Sequence, residues 1–108
     1  MAERMVFEER HDENGSVTRA VRLLDDGSMR IEGHDLGPGV TRFFAGHSEY
    51  EFARTLPPAS VAALVRALGI ADGDLLPDLR SRFATTADLE AYVRERDIES
   101  ELWSSLSG

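Results

Sequence analysis

The sequence predicts an α+β fold. Its antiparallel four-stranded sheet would be a three-stranded meander plus one strand after a short helix, and C-terminal helices would cover one face. Apolar and polar residues alternate with a period of two through the first half, turn residues separate these segments, and the second half carries helical apolar stripes. A chain of 108 residues has the size of one domain, so we expect a single domain over residues 1–108.

The first three predicted strands form a meander of consecutive hairpins. Residues 4–11 alternate as a strand, and Asn14-Gly15 follows as a two-residue hairpin signal, because both residues tolerate positive φ. Residues 17–23 and 29–33 continue the alternation on either side of a polar turn at 25–28.

A short helix and a fourth strand are predicted next. Pro38 suits the first position of a helix, and Gly46 suits its end, so we expect a helix over residues 37–45. Residues 49–56 then alternate as a strand that has one polar face. The glycines and the proline at this corner are explained by the turn from strand to helix.

The last third of the chain is predicted to be helical. Pro58 can begin a helix that ends at Gly69, and Pro77 can help to begin another. Thr85 and Asp88 have the spacing of a helix-capping box. Apolar residues at helical spacing extend through Trp103 to the C-terminus, and residues 71–74 are expected to form the most mobile loop.

Composition limits the functional classes. The chain contains no cysteine, no run of 18 apolar residues and no apolar N-terminal segment typical of a signal peptide, so we expect a cytoplasmic protein without membrane association. The net charge is −8, all 12 basic residues are arginine, and each half of the chain carries −4. This even acidity disfavours nucleic-acid binding, because phosphates would be repelled.

Catalytic motifs are not evident in the sequence. There is no G-x-S-x-G motif, Ser48 directly follows His47 in poor geometry for a nucleophile and its base, and Gly37-Pro38-Gly39 lacks the lysine of a phosphate-binding loop. Adjacent acids such as Asp25-Asp26 are better explained by turn chemistry. We therefore expect no enzymatic activity and no cofactor.

One group of residues could form a metal site. His34, Asp35, His47 and Glu49 offer nitrogen and oxygen ligands, and a short helix between two strands could bring the two histidines together at its ends. The spacing matches no helix-based metal motif, and isolated surface histidines are the commoner explanation.

The run from Asp26 to Gly69 resembles a group of short, uncharacterised actinobacterial proteins. The shared pattern is a D-G-x-[LM]-x-[IL]-E-G-x-D-L-G-P-x-V stretch, an E-Y-E-[FW] strand and a helix that ends A-L-G. The matching positions are Glu32, Gly33, Asp35, Leu36, Gly37, Pro38, Glu49, Tyr50, Glu51 and Phe52. The resemblance implies a strand–helix–strand corner and supplies no activity.

Together these features favour a non-enzymatic protein-interaction domain, comparable in class to small inhibitors and immunity proteins. Its partner would be a protein bound through the sheet or the acidic surface, with Glu49, Glu51, Arg54 and Asp35 as the candidate contact residues. A small-ligand or metal-binding protein is one alternative. A self-assembling protein, including a homodimer paired through sheet edges, is another.

Overall fold

A computed structural model describes residues 3–71 and 75–108, so Asp72, Gly73 and Asp74 of the predicted mobile loop lie outside it. The predicted α+β class is confirmed: the chain forms an open antiparallel sheet with helices. Over the described residues the sheet has five strands in the order β1-β2-β3-β4-β5, not the four that were predicted. The elements are β1 Glu3–Asp12, β2 Gly15–Leu23, β3 Met29–Leu36, α1 Pro38–Phe43, β4 Glu49–Leu56, α2 Pro58–Leu68, α3 Leu75–Arg82, α4 Thr86–Glu95 and β5 Glu101–Ser107.

The first hairpin forms where predicted, but its turn is built differently. Asp12 pairs with Gly15, so the loop residues are Glu13 and Asn14. Gly15 has a φ of 112°, whereas among the described residues other than glycine only Asp97 has a positive φ. The Asn14 N–H donates to Asp12 Oδ1 at 2.8 Å, so an aspartate side chain organises the turn and glycine alone supplies the left-handed residue.

The corner after β3 is a helix shorter than expected. Helix α1 covers Pro38–Phe43, with Pro38 at its start as predicted. Gly37 precedes it with a φ of 102°, and the Gly37 N–H donates to the Ser48 carbonyl at 2.8 Å. This hydrogen bond closes the excursion between β3 and β4, so the chain returns directly beside the strand that it left.

Local end signals predicted α2 and α4 correctly. Gly69 follows α2 with a φ of 67°, and the Ile70 N–H donates to the Val65 carbonyl at 3.1 Å. At α4, the Thr85 side chain accepts a hydrogen bond from the Asp88 N–H at 3.1 Å.

The prediction that helical structure extends to the C-terminus was wrong. Helix α4 ends at Glu95, Asp97 takes a φ of 55°, and Glu101–Ser107 pairs with β4 as an antiparallel strand. The spacing of the apolar residues fits a helix, but Ser104 and Ser105 are weak helix formers. The backbone of β4 offers this segment a full set of hydrogen-bond partners, which decides in favour of a strand.

The core is formed by strand and helix side chains together. One cluster of buried apolar residues draws members from β1 to β4 and from α2 to α4: Phe7, Val21, Met29, Ile31, Leu56, Val61, Leu64, Ile70, Leu76, Leu79, Leu89 and Val93. Strand β5 contributes none of them. Within the described ranges, no helix is both long enough and apolar enough to cross a membrane.

Candidate functional site

The strand register divides the sheet into two faces. We call the side that carries Val21 and Ile31 the core face, because these two residues pair across β2 and β3 and both are fully buried. We call the opposite side, which carries His34 and Glu51 as another directly paired couple, the outer face. Every candidate residue that lies in a strand is assigned to one of these faces by its place in the register.

The outer face is a shallow groove. Its volume is about 610 Å³, and its lining includes Arg4, Arg30, Glu32, His34, Glu51 and Trp103. Arg4, Arg22 and Arg30 face one another across β1, β2 and β3 on this face, and the Arg22 Nε lies 3.0 Å from Glu32 Oε1. The outer face therefore carries arginines at one end and the acids Glu49 and Glu51 at the other, with the indole of Trp103 on the β5 side.

One compact cluster lies at the end of this face. His34 Nε2 lies 2.6 Å from Glu49 Oε2 and 3.5 Å from Glu51 Oε1. The Ser107 hydroxyl donates to the other Glu49 oxygen at 3.0 Å. The hydrogen bond with His34, followed by the one from Ser107, lowers the pKa of Glu49 below its usual 4.5.

This cluster differs from the predicted metal set. His34, Glu49 and Glu51 each place one ligand atom within 4.8 Å of the other two. Asp35 lies on the core face, and His47 lies between α1 and β4 without joining the group. Glu51 was missed as a ligand, although its period-two relation to Glu49 signals that both side chains share one face.

The four predicted partner-binding residues are not brought together. Glu49 and Glu51 are on the outer face, whereas Asp35 and Arg54 are on the core face. Asp35 is held by Arg19 through two hydrogen bonds, of 2.6 and 3.2 Å. Arg54 donates to Glu90 of α4 at 2.9 Å and to Ser100 at 2.9 Å. The structure therefore gives Asp35 and Arg54 internal partners.

Aromatic rings cover the part of the core face next to α1. Phe44 stacks on Tyr50 with ring centroids 5.5 Å apart, and Tyr50 contacts Phe52 at 5.9 Å. The Arg19 guanidinium lies 5.1 Å from the centroid of the Phe52 ring. These side chains extend an apolar surface from the corner towards β5.

Strand β5 is an exposed edge with large apolar side chains. Leu102, Trp103 and Leu106 are 57%, 55% and 37% exposed. Strand β4 is central, because it pairs with both β3 and β5. Sequence reasoning missed β5, although its Leu-Trp-Ser-Ser-Leu composition is compatible with an edge strand as well as with a helix.

The opposite edge of the sheet, strand β1, is irregular and charged. Strand β1 has a register irregularity between Val6 and Glu8, and its exposed second half is the charged run Glu8, Glu9, Arg10, His11 and Asp12. Bulges and charges are the devices by which proteins keep edge strands from pairing with other chains. Strand β5 carries a single charged residue, Glu101.

Comparisons of the chain with protein-family models, curated proteins and solved structures found no match.

Proposed function

We propose that this protein is a non-enzymatic, cytoplasmic protein-interaction domain that binds its partner by strand addition at the free edge of β5. The observation that carries the proposal is the combination of an unprotected edge with exposed Leu102, Trp103 and Leu106. In strand addition, main-chain hydrogen bonds supply affinity and alternate side chains supply specificity.

The arrangement of the helices supports this choice of surface. The core cluster takes residues from β1 to β4 and from α2 to α4 but none from β5. We propose that the C-terminal helices cover the core face over the first four strands and leave the strip beside β5 open. An inhibitor or immunity-like domain presents such a strip to one protein partner, and the proposal assigns no catalytic residue and no cofactor.

Affinity capture with an edge variant tests this function. Ser104→Pro would remove one backbone donor and place a ring on the edge of β5, and proline is tolerated where the N–H of an edge strand faces solvent. We expect the tagged parent to retain a stoichiometric protein from its host lysate and Ser104→Pro to retain at least tenfold less. A variant with Glu49→Arg and Glu51→Arg is the surface control, since it changes the outer face and keeps every backbone donor of β5.

The outcomes separate the two surfaces. Equal capture by the parent and by Ser104→Pro would contradict binding at the edge. Loss of capture in the outer-face variant alone would move the interface to the groove that holds His34.

A metal-binding function is the second candidate, favoured by one observation. One histidine nitrogen and two carboxylate oxygens approach within 4.8 Å, the ligand types of a two-carboxylate, one-histidine site for a divalent transition metal. All three residues extend from paired positions on adjacent strands, so the rigid sheet holds the ligand atoms in place. The side chains are 29% to 44% exposed, which leaves the cluster open to an ion from solvent.

Titration with Zn²⁺ or Ni²⁺ tests this candidate by calorimetry. We expect one ion per chain for the parent, at least tenfold weaker binding for His34→Ala, and unchanged binding for His47→Ala, the matched control outside the cluster. Equal affinities for the parent and His34→Ala would exclude this site.

A further inference from the structure

We infer that the strand added to β5 is the β5 of a second copy, paired antiparallel about a two-fold axis at Ser104. The inference rests on the proposed use of this edge and names its occupant. Pairing would join the two five-stranded sheets into one continuous sheet, with the same surface contributed by each copy.

The backbone N–H and C=O groups of β5 that this pairing needs point to the free edge. The Ser48 N–H donates to the Ser107 carbonyl at 3.1 Å, so the polar backbone groups of Ser107 point towards β4. Because successive residues of a strand point their backbone groups to opposite sides, those of Leu102, Ser104 and Leu106 point to the free edge.

A hydrogen bond on the other side of β4, towards β3, indicates the same orientation for the backbone groups of β5. The Gly37 N–H donates to the Ser48 carbonyl at 2.8 Å, as expected beside a non-hydrogen-bonded pair of Leu36 with Glu49. The backbone groups of Glu49 therefore point towards β5, where Glu49 faces Ser107. Both neighbours of β4 thus assign the same outward groups to β5.

A two-fold axis at Ser104 makes the edge complementary to itself. Ser104 would face Ser104 of the copy, and each Leu102 would face a Leu106. All three facing pairs would be hydrogen-bonded pairs, each exchanging two bonds, for about six backbone hydrogen bonds in total. The two leucine pairs would lie on the core face, because Leu102 and Leu106 pair with Arg54 and Tyr50 of β4.

The remaining side chains are compatible with the same register. Trp103 would face Ser105 of the copy on the outer face, so the large indole lies against a small residue. Glu101, the one charged residue of β5, would face Ser107 and no second acid. Like charges directly opposite each other destabilise a strand pair, and this register avoids them.

Cysteine cross-linking tests the register without interference, because the chain contains no cysteine. Facing residues of a hydrogen-bonded pair have Cα atoms about 5.5 Å apart, within the range of about 4.4–6.8 Å that a disulfide spans. We expect Ser104→Cys to form a disulfide-linked dimer on mild oxidation. Ser105→Cys is the matched control, because its two copies would be offset along the strands, and we expect it to cross-link at least tenfold more slowly.

Sedimentation equilibrium of the parent and Ser104→Pro completes the test. We expect a concentration-dependent dimer for the parent and at least a tenfold larger dissociation constant for Ser104→Pro, with an unchanged circular dichroism spectrum. Leu106→Lys is a second variant that keeps every backbone donor, and we expect the same loss of dimer from it.

A different result would overturn each of three claims: the register, the second copy as occupant, and binding at the edge. Equal cross-linking rates for the two cysteine variants would overturn the register. A monomeric parent that does not cross-link through Ser104→Cys would overturn the second copy as occupant. In that case, capture of a different protein that Ser104→Pro abolishes would leave the proposed function standing, whereas unchanged capture would overturn both.

Discussion

Gly33 of β3 leaves room for the ring of Phe52, the residue that it faces on β4. A Cβ atom added there would lie 2.0 Å from Cε1 of Phe52, so the Phe52 ring occupies the space above the glycine. The ring is also held by the Arg19 guanidinium and by Tyr50. An aromatic ring that covers a glycine on the neighbouring strand protects the bare backbone and fixes the cross-strand register.

Gly33→Ala should therefore destabilise the protein. The added methyl group displaces the Phe52 ring from its contacts, and such overpacking typically costs about 1–3 kcal/mol. Urea denaturation of the parent and variant measures the difference in unfolding free energy. In the background of Phe52→Leu, a smaller side chain, the same substitution should cost less; equal costs in both backgrounds would show that the ring is not the obstacle.

Asp26 makes the stability of the folded protein depend on pH. The hydroxyl of Ser28 and then its N–H donate to Asp26 Oδ1, at 2.5 and 2.9 Å, and these bonds lower the pKa of Asp26 below 3.8. Because the pKa of the folded state is depressed, the ionised carboxylate stabilises the fold above the ordinary pKa. That contribution is lost as the pH falls through the pKa of the folded state.

Asp26→Asn should thus be less stable than the parent near neutral pH, and the difference should shrink as the pH falls below the ordinary aspartate pKa of 3.8 and the parent carboxylate becomes protonated. Unfolding free energies from urea denaturation at several pH values provide the measurement. Glu9→Gln, which neutralises an exposed acid of β1, is the control and should not reproduce this pH dependence. A stability difference for Asp26→Asn that stays constant with pH would contradict the assignment.

At the scale of elements, one ion pair connects the sheet to helix α4. Arg54 Nε lies 2.9 Å from Glu90 Oε2, and the two side chains are only 13% and 14% exposed. Removing one member of a largely buried charged pair leaves the other desolvated without its partner. This contact therefore holds α4 against β4 more strongly than a surface pair would.

Glu90→Ala should lower the unfolding free energy by about 1–3 kcal/mol, because it leaves Arg54 without its carboxylate partner. Glu32→Ala is the matched control, since it removes the partner of Arg22 in a pair whose side chains are 34% and 29% exposed. That loss should stay below about 1 kcal/mol. Chemical denaturation compares the two variants, and an equal loss in both would show that burial does not strengthen the Arg54 pair.

Elements with local end signals were predictable from the sequence, and elements that depend on distant partners were not. Pro58 and Gly69 specify α2 through their own backbone preferences, so no other part of the chain is needed. Strand β5 depends on the free edge of β4, which lies about 50 residues earlier in the chain. Its spacing of apolar residues fitted a helix, and only the sheet distinguishes the alternatives.

The same limit applies to the outer-face cluster. The alternation of β4 places Glu49 and Glu51 together, which the sequence indicates without a structure. Their approach to His34 depends on the register between β3 and β4, and that register is set by the Gly37-to-Ser48 closure of the corner. The sequence therefore predicted two members of the cluster as metal ligands, grouped them with Asp35 and His47, and assigned Glu51 only to partner binding.

At the scale of the whole molecule, charge opposes the self-association that the edge favours. Each copy carries a net charge of −8, so two copies repel at long range, while β5 itself contributes one acid per copy. The attraction at the edge comes from backbone hydrogen bonds and apolar side chains, which salt screens little. The repulsion between exposed charges falls off within about 10 Å at 0.1 M salt and is thus sensitive to ionic strength.

Dimerisation through β5 should therefore strengthen with added salt. We expect the dissociation constant to fall about three- to tenfold between about 0.02 and 0.5 M NaCl, because screening removes repulsion and leaves the edge contacts intact. Sedimentation equilibrium across this range measures the change, with Ser104→Pro as the control whose dissociation constant stays at least tenfold larger than that of the parent throughout. A dimer that dissociates as salt rises would instead indicate an interface held by ion pairs. The charged β1 edge and the outer face could supply such pairs, and β5 could not.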